Sequence, residues 1–327
     1  MIRKNKYPLI SIIMINYNGE KYLKRTIPPI LNLNYPNYEF IIIDNQSSDN
    51  SLEIISRQKK IILINNEVKG SKNRALNLGI KKSKGEYILF LDNDVIIKDK
   101  DLLQDILESF FNFKKIGLIT LTLQNEGEKK VALYGQYLKP ITFTKQNKEL
   151  DLVNIKEING KNVVGVQGAA FFCKKIIFSK IGYFDEVIPF GGEDIDVGIR
   201  SILFGFQNLI YSNKVLIHIG MGERNDLKKN RSKYFKGFTG WFITIIKNYK
   251  FFNAIFLITF FSIFLFLKTI KSSIQKKDPL LIFLYFMIPL YIILNIKKII
   301  FSRNEIQSKR IIKEDVFLKI KPPKINK

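Results

Sequence analysis

Two carboxylates stand two positions apart in Asp92-Asn93-Asp94, directly after the apolar run Tyr87 to Leu91. In an extended chain their side chains point to the same side. Such a pair repels itself unless a cation lies between, and a hard divalent ion such as Mg2+ or Mn2+, holding oxygen ligands and a diphosphate, satisfies that geometry. An ion there would stabilise negative charge developing on a phosphate leaving group. A second cluster, Gly191-Gly192-Glu193-Asp194-Ile195-Asp196, places three acids within four positions, after two glycines and before a helix that carries Arg200. Negative charge is favoured at a helix start, and Asp196 with Arg200 at i,i+4 is an ordinary helix-supporting pair. Glu193 and Asp194 are left without structural work, so one of them is a candidate general base. His218 lies in the apolar run Val215 to Ile219. A lone histidine in a strand is usually a packed residue, yet at the end of a late strand in the same sheet it could complete the coordination of an ion on Asp92 and Asp94.

These groups need a frame that gathers strand ends. From residue 9 short apolar runs alternate with helical stretches: strands at Leu9 to Ile15, Phe40 to Ile43, Ile61 to Asn65 and Tyr87 to Leu91, with helices at Glu20 to Leu31, Ser51 to Gln58 and Arg74 to Lys82 between them. That alternation predicts an α/β sheet with parallel strands at its centre, and ligands of such sheets sit outside the carboxyl ends of the strands. Turn chemistry accounts for any one Asn or Asp there. It accounts less well for two carboxylates after a wholly apolar strand.

The chain has 327 residues, with 53 Lys and Arg against 29 Asp and Glu, a formal charge of +24. Hydrophobic residues at 46%, including 27 Phe, exclude a disordered chain. A single cysteine, Cys173, excludes a disulfide framework and fits a reducing compartment. With His218 the one histidine, histidine-cluster metal sites are excluded as well, so carboxylates must carry any metal chemistry. Residues 228–327 hold 21 Lys and Arg against 4 Asp and Glu. The basic excess therefore belongs around Phe251 to Leu267 and Leu280 to Ile296, two uncharged 17-residue runs, which argues against nucleic acid as a partner. As helices the runs are each about 25 Å long, near the short end of what crosses a ~30 Å hydrocarbon core. They predict a two-helix hairpin through the membrane, the alternative being a pair of helices lying in the interface. Lysines after Ile296 outnumber those between the runs, which puts the tail, and with two spans the N-terminal domain, on the cytoplasmic side. No signal-peptide pattern is read in Met1 to Asn16.

The order and spacing of SIIMINYNGEKYL, IIIDNQSSDNS, RALNLGI, GEYILFLDNDV, GAAFFCKK, IGYFDE, GGEDIDVGIR and His218 resemble the family 2 glycosyltransferases of the GT-A fold, a Rossmann-like α/β architecture, and in particular their rhamnosyltransferase-like branch. The resemblance runs from about Leu9 to Gly222 and implies an inverting transferase, hexosyl or deoxyhexosyl, that uses a nucleotide-diphosphate sugar. By it, Asn16, Tyr17, Asn18, Glu20 and Asp44 hold the base and ribose, and Asn93 joins the donor site. Asp92 and Asp94 match the metal-binding D-x-D motif, Asp194 matches the base with Glu193 beside it, and His218 matches a histidine that joins the metal in some members. The Gly70 to Gly79 segment is one residue longer than the family's spacing, which loosens the assignment of Arg74 to the diphosphate. Thr120 to Lys161, where acceptor-binding elements belong, matches nothing recognisable.

The organisation expected is a catalytic domain over 1–226, an amphipathic juxtamembrane helix over 227–250, a transmembrane hairpin over 251–296 and a basic cytoplasmic tail over 297–327. The expected activity is transfer of a sugar to a lipid-linked or cell-surface glycan at the cytoplasmic membrane face, with membrane lipids as partners and the oligomeric state unread. Competing readings are a nucleotidyltransferase, against which stands NYNGE where a Gly-rich basic phosphate loop would be needed, and a tethered binding protein without catalysis, against which stand two intact acid clusters.

Overall fold

The computed structural model describes residues 7–67, 71–111, 113, 115–138, 145, 146, 150–220 and 227–323; Gly70 and the 221–222 pair of the sequence comparison lie outside them. Parallel strands β1 (Ile10–Asn16), β2 (Tyr38–Asp44), β3 (Ile61–Asn65) and β4 (Tyr87–Asp92) alternate with α1 (Glu20–Leu31), α2 (Ser51–Ser56) and α3 (Lys72–Lys82). Their spatial order is β3-β2-β1-β4. The winding reverses between β1 and β4, which opens a crevice at their carboxyl ends. Register aligns Asn65 with Asp44, Asp44 with Asn16, and Ile15 with Asp92, so polar residues form one row along that edge.

Side-chain alternation buries both faces of this half. Ile10, Ile12 and Met14 pack with Leu23 and Ile27 of α1, whereas Ile13 and Ile15 pack with Ala75, Leu76 and Ile80 of α3.

The rest of the sheet is mixed. After β5 (Val95–Ile96), α4 (Leu102–Phe111) and β6 (Ile116–Asn125) come the short strands β7 (Lys130–Leu133) and β10 (Leu150–Asp151) of the same sheet, and between them β8 (Gln136–Tyr137) and β9 (Lys145–Gln146), which pair with each other as a separate two-stranded sheet. Strand β11 (Ala170–Lys174) inserts antiparallel between β4 and β6, where Phe171 stacks on Phe90 at 4.4 Å between ring centroids. After α5 (Ile177–Ile181) and α6 (Glu193–Leu203), β12 (Gln207–His218) runs parallel to β6 and antiparallel to β5.

Then come the α-helices α7 (Leu227–Asn248), α8 (Phe251–Lys276), α9 (Leu280–Leu294) and α10 (Ile296–Lys309), and a 3-10 turn at Val316–Lys319. Among the described residues α8 alone is long and apolar enough to cross a membrane by itself, with a mean hydropathy of 2.1 over its most apolar window. The second expected span differs: α9 has 15 residues, and the chain bends by 66° into α10. Asn295 turns the chain there, its side chain donating back to the Tyr291 carbonyl at 2.9 Å. The stretch expected as a juxtamembrane helix buries Ile243, Thr244, Ile245, Lys247 and Asn248 inside the protein. Within the stretch expected as a basic tail, residues 297–309 belong to α10, which packs against α7. Arg303 donates to the Tyr249 carbonyl at 2.9 Å, and Gln307 to those of Lys247 and Asn248 at 2.9 and 3.0 Å, satisfying acceptors that a helix end leaves open.

Candidate active site

The row of strand ends builds the first part of the site. Asn16, fully buried, donates from Nδ2 to Asp44 Oδ1 at 2.8 Å and to Ser47 Oγ at 3.0 Å. Asp44 also accepts from the Ser47 backbone N–H at 2.9 Å and its hydroxyl at 2.6 Å. On its other side Asn16 Oδ1 accepts from Asn93 Nδ2 at 2.8 Å. A Cβ on Gly19 would lie 2.2 Å from Asn16 Oδ1 and 2.3 Å from Asn93 Nδ2, so only glycine leaves room for that bond. The loop after β1 is held by the β2 loop: Asn18, at φ 49°, donates its backbone N–H to Ser47 Oγ at 2.9 Å and accepts the Ser48 N–H at 2.8 Å. Tyr17 stays half-exposed at the mouth. The Glu20 carboxylate is engaged by the Asn50 side chain at 3.0 and 3.1 Å, a contact between loops.

The chain is not extended through the D-x-D segment. It turns at Asn93 and Asp94, so the two carboxylates take different neighbours. Asp92 Oδ1 is paired with Lys72 Nζ at 3.1 Å. Asp94 Oδ2 lies 3.1 Å from His218 Nε2, brought there because His218 ends β12 opposite Val95 of β5. Burial would lower the pKa of both cations, but Asp92, then Glu193, raises that of Lys72, and Asp94 raises that of His218. Among the described residues no three acid, histidine or cysteine side chains already converge on one point as metal ligands. The donor set nevertheless fits a hard divalent ion. Asp94 Oδ1 and His218 Nδ1 are both buried without a hydrogen-bond partner, a condition that costs free energy unless a ligand or ion answers it.

The third part is the start of α6. Gly192, at φ 95°, turns the chain so that Glu193 and Asp194 open the helix. Asp194 Oδ2 accepts from Gln136 Nε2 at 2.6 Å and from the Gly168 N–H at 3.1 Å. Glu193 is buried with Oε2 unpartnered. Burial lifts both carboxyls above their ordinary range; for Glu193 the charge of Asp194 adds to it, while Lys72 opposes the rise in both. Lys72 thus stands in the field of both acid clusters. Asp196 does the structural work expected of it and more, binding Arg200 at 2.8 Å, Asn248 at 2.7 Å and Lys247 at 3.2 Å in full burial.

The structure therefore gathers Asn16, Asp44 and Asn93 in one hydrogen-bonded chain and pairs Lys72 with Asp92, within the electrostatic reach of Glu193 and Asp194. Arg74 stands apart: it is exposed and lines a recess of about 510 Å³ with Asn65, Asn66 and Glu67 at the end of β3. Lys72, two residues before it, escaped the sequence reading because one lysine among many at a helix start carries no local signal. Gln136 escaped it too, since it lies in the stretch without recognisable motifs.

The family described as Glycosyl transferase family 2 matches residues 11–177. An uncharacterized glycosyltransferase of Haemophilus influenzae is 37% identical over 150 residues, covering 45% of this chain and 57% of its own. The poly-beta-1,6-N-acetyl-D-glucosamine synthase of Staphylococcus epidermidis is 30% identical over 202 residues, covering 61% and 47%. The chain thus spans about half the length of these curated relatives. Of solved structures, S. aureus TarS 1–349 matches with a TM-score of 0.56 at 14% identity, over 95% of this chain and 90% of that one. A mannosyltransferase from Pyrobaculum calidifontis, in complex with GDP-Man and Mn2+, matches with a TM-score of 0.54 at 12% identity, over 97% and 86%. At these identities the likeness concerns the fold, which is the GT-A-type α/β architecture that the sequence resemblance implies, here with a curled mixed sheet.

Proposed function

The chain belongs to glycosyl transferase family 2, and on that premise we propose that it is an inverting hexosyl- or deoxyhexosyltransferase acting from a nucleotide-diphosphate sugar on a lipid-linked or cell-surface glycan at the cytoplasmic membrane face. The motif order that resembles the rhamnosyltransferase-like branch supports the deoxyhexosyl end of that range. The observation that carries the reading is the pairing of Lys72 with Asp92 at 3.1 Å, in the electrostatic field of buried Glu193 and part-buried Asp194.

In the mechanism this supports, Asn16, Asp44, Ser47 and Asn93 orient the nucleotide, with Tyr17 at the mouth. A divalent ion held by Asp92, Asp94 and His218 would supply positive charge to the departing diphosphate; the Mn2+ in the archaeal structure is that neighbour's own and supports the choice of ion. Lys72 adds a fixed cation on the same side. Asp194, oriented by Gln136 and the Gly168 N–H, takes the proton of the acceptor hydroxyl as its oxygen attacks the anomeric carbon. The carbon–diphosphate bond breaks on the opposite face, and a single displacement inverts the centre.

The test is calorimetry of the full chain with UDP-, GDP- and dTDP-sugars in the presence of Mn2+ or Mg2+, followed by transfer of labelled sugar to bacterial lipid extracts. Tight binding of one nucleotide sugar and its consumption are expected. Binding of none of them would reject a donor site here.

A further inference from the structure

Helix α8 is covered along one stripe, Ala254, Leu257, Phe261, Leu265, Thr269 and Ser273, at the three- and four-residue spacing of a packed helix face. It packs against α9 and against α7, which runs antiparallel to it. Phe242 and Phe238 meet Phe261 at 5.2 and 5.9 Å between ring centroids, Tyr234 bonds Thr269, and Arg231 pairs with Asp278 at 2.7 Å just beyond the end of α8. The same α7 touches the acid turn: a Cβ on Gly240 would lie 2.0 Å from the Gly191 carbonyl oxygen. Gly240 lies on the face of α7 opposite Phe238 and Phe242, so the thickness of α7 separates the acid turn from the middle of α8.

That placement conflicts with a crossing. A ~30 Å hydrocarbon core centred on α8 would have to enclose the acid turn and α7, whose Lys233 and Lys236 would cost up to about 2.5–3.5 kcal/mol each if charged at mid-membrane. The uncovered face of the helices shows another solution. Phe252 is 83% and Phe256 68% exposed on α8, with Ile263 and Leu267 further along and Phe283 and Leu294 on α9. Tyr291 near the end of α9 donates to the Val187 carbonyl at 3.0 Å, and after the bend Ser302 of α10 donates to Asp185 at 3.1 Å. Exposed lysines flank the apolar face at 268, 271, 276, 277, 297 and 298, each worth about 1 kcal/mol near an anionic surface. An apolar cavity of about 330 Å³ between α7, α8 and α9, lined by Phe242, Ile258, Tyr285 and Pro289, reaches the exposed Ile293 and is suited to a hydrocarbon chain.

We propose that α8 and α9 lie in the plane of an anionic leaflet, their outer phenylalanines and leucines sunk at the headgroup–acyl boundary, so that the Glu193–Asp194 turn is held at headgroup level. Resting on the transferase reading, this places the acceptor hydroxyl on a lipid whose chains stay in the leaflet. The lipid partner is a surface on which the domain lies, and the hairpin expected from composition becomes a docking face.

The experiment uses the full chain with a spin label at single cysteines introduced at Phe252, Phe256, Ile263, Leu267 or Ile274, the buried Cys173 being left in place. Each is bound to vesicles of phosphatidylcholine with phosphatidylglycerol, and depth is read from oxygen against nickel-chelate collisions. The expected result is one shallow depth, ~5–10 Å below the headgroups, at all five positions. A depth profile that peaks at Ile263, with Phe252 and Ile274 near opposite surfaces, would overturn the proposal, as would absence of vesicle binding. Phe252→Glu with Phe256→Glu should release the chain from vesicles at least tenfold. Binding of a nucleoside diphosphate by the same variant should be unchanged, so loss of docking and loss of the donor site are read separately.

Discussion

Gln136 donates to Asp194 at 2.6 Å, so a residue from the stretch with no recognisable motif orients the group assigned as the base. A hydrogen bond to a carboxylate favours its charged form, and the base works only when charged. Gln136→Ala should therefore move the acid limb of the pH–rate profile to higher pH and lower the rate roughly tenfold at neutral pH, for a bond to a charged group worth about 1.5–3 kcal/mol. A profile that falls in height without moving would assign Gln136 to packing.

Asp194→Asn keeps the shape of the side chain and removes its basicity. Single-turnover transfer should fall by roughly 10²–10⁴, with donor affinity by calorimetry nearly unchanged. Glu193→Gln is its control. Should Glu193→Gln be inactive and Asp194→Asn near normal, the base is Glu193.

Asp92→Asn and Asp94→Asn should each weaken nucleotide-diphosphate binding in Mn2+ and leave the metal-free affinity little changed. Lys72→Met should weaken binding about tenfold with or without metal, since a charge-assisted contact is lost. Titrations in EDTA and in Mn2+ separate the two effects. Equal affinities in both solutions would remove the ion from the donor site.

Asp196 is a stability residue. Burial alone would raise its carboxyl, but the Arg200 guanidinium, then Lys247, hold it down at about 2. A lowered folded-state value means that its contribution is present above the ordinary carboxyl range and is lost as pH falls toward 2. Asp196→Asn leaves Arg200 and Lys247 buried without their counter-charge and should cost about 3–5 kcal/mol by denaturant melts, with a smaller difference from the parent at low pH.

A chain ended at residue 220 should melt without a cooperative transition or aggregate, because Ile195, Ile199 and Leu203 of α6 lose the cover of α7 and its neighbours. A soluble, cooperatively folded product that binds a nucleoside diphosphate would show that the C-terminal helices are an appendage.

The parallel half of the sheet was legible because each strand is a short apolar run ending in Asn or Asp, and each intervening helix repeats its apolar residues. Asp92, Asp94, Asp194 and His218 were legible for a related reason: acids and a lone histidine at strand or helix ends stand out from an apolar background. What was not legible depends on which surfaces meet. Nothing local in Ala170 to Lys174 tells that it pairs antiparallel to both β4 and β6. The turn at Asn93 replaced an extended segment because Asn93 bonds Asn16 across the sheet. Composition predicts a two-helix hairpin and a basic tail for the last hundred residues and says nothing of what packs against them. The covered stripe of α8 and the carbonyls at the end of α7 that Arg303 and Gln307 occupy are properties of packing, invisible in a count of charges.

Gly240 carries a consequence for how this chain can change over time. A glycine within a helix costs about 1 kcal/mol relative to alanine, yet at this position an alanine methyl would strike the Gly191 carbonyl. Drift toward the intrinsically better helix former is thereby closed to the lineage for as long as α7 rests on the acid turn. Among relatives that share the catalytic half, glycine at the position of Gly240 is then a marker for those whose C-terminal helices seat in the same way, and its replacement by a larger residue marks those in which this seat has been abandoned.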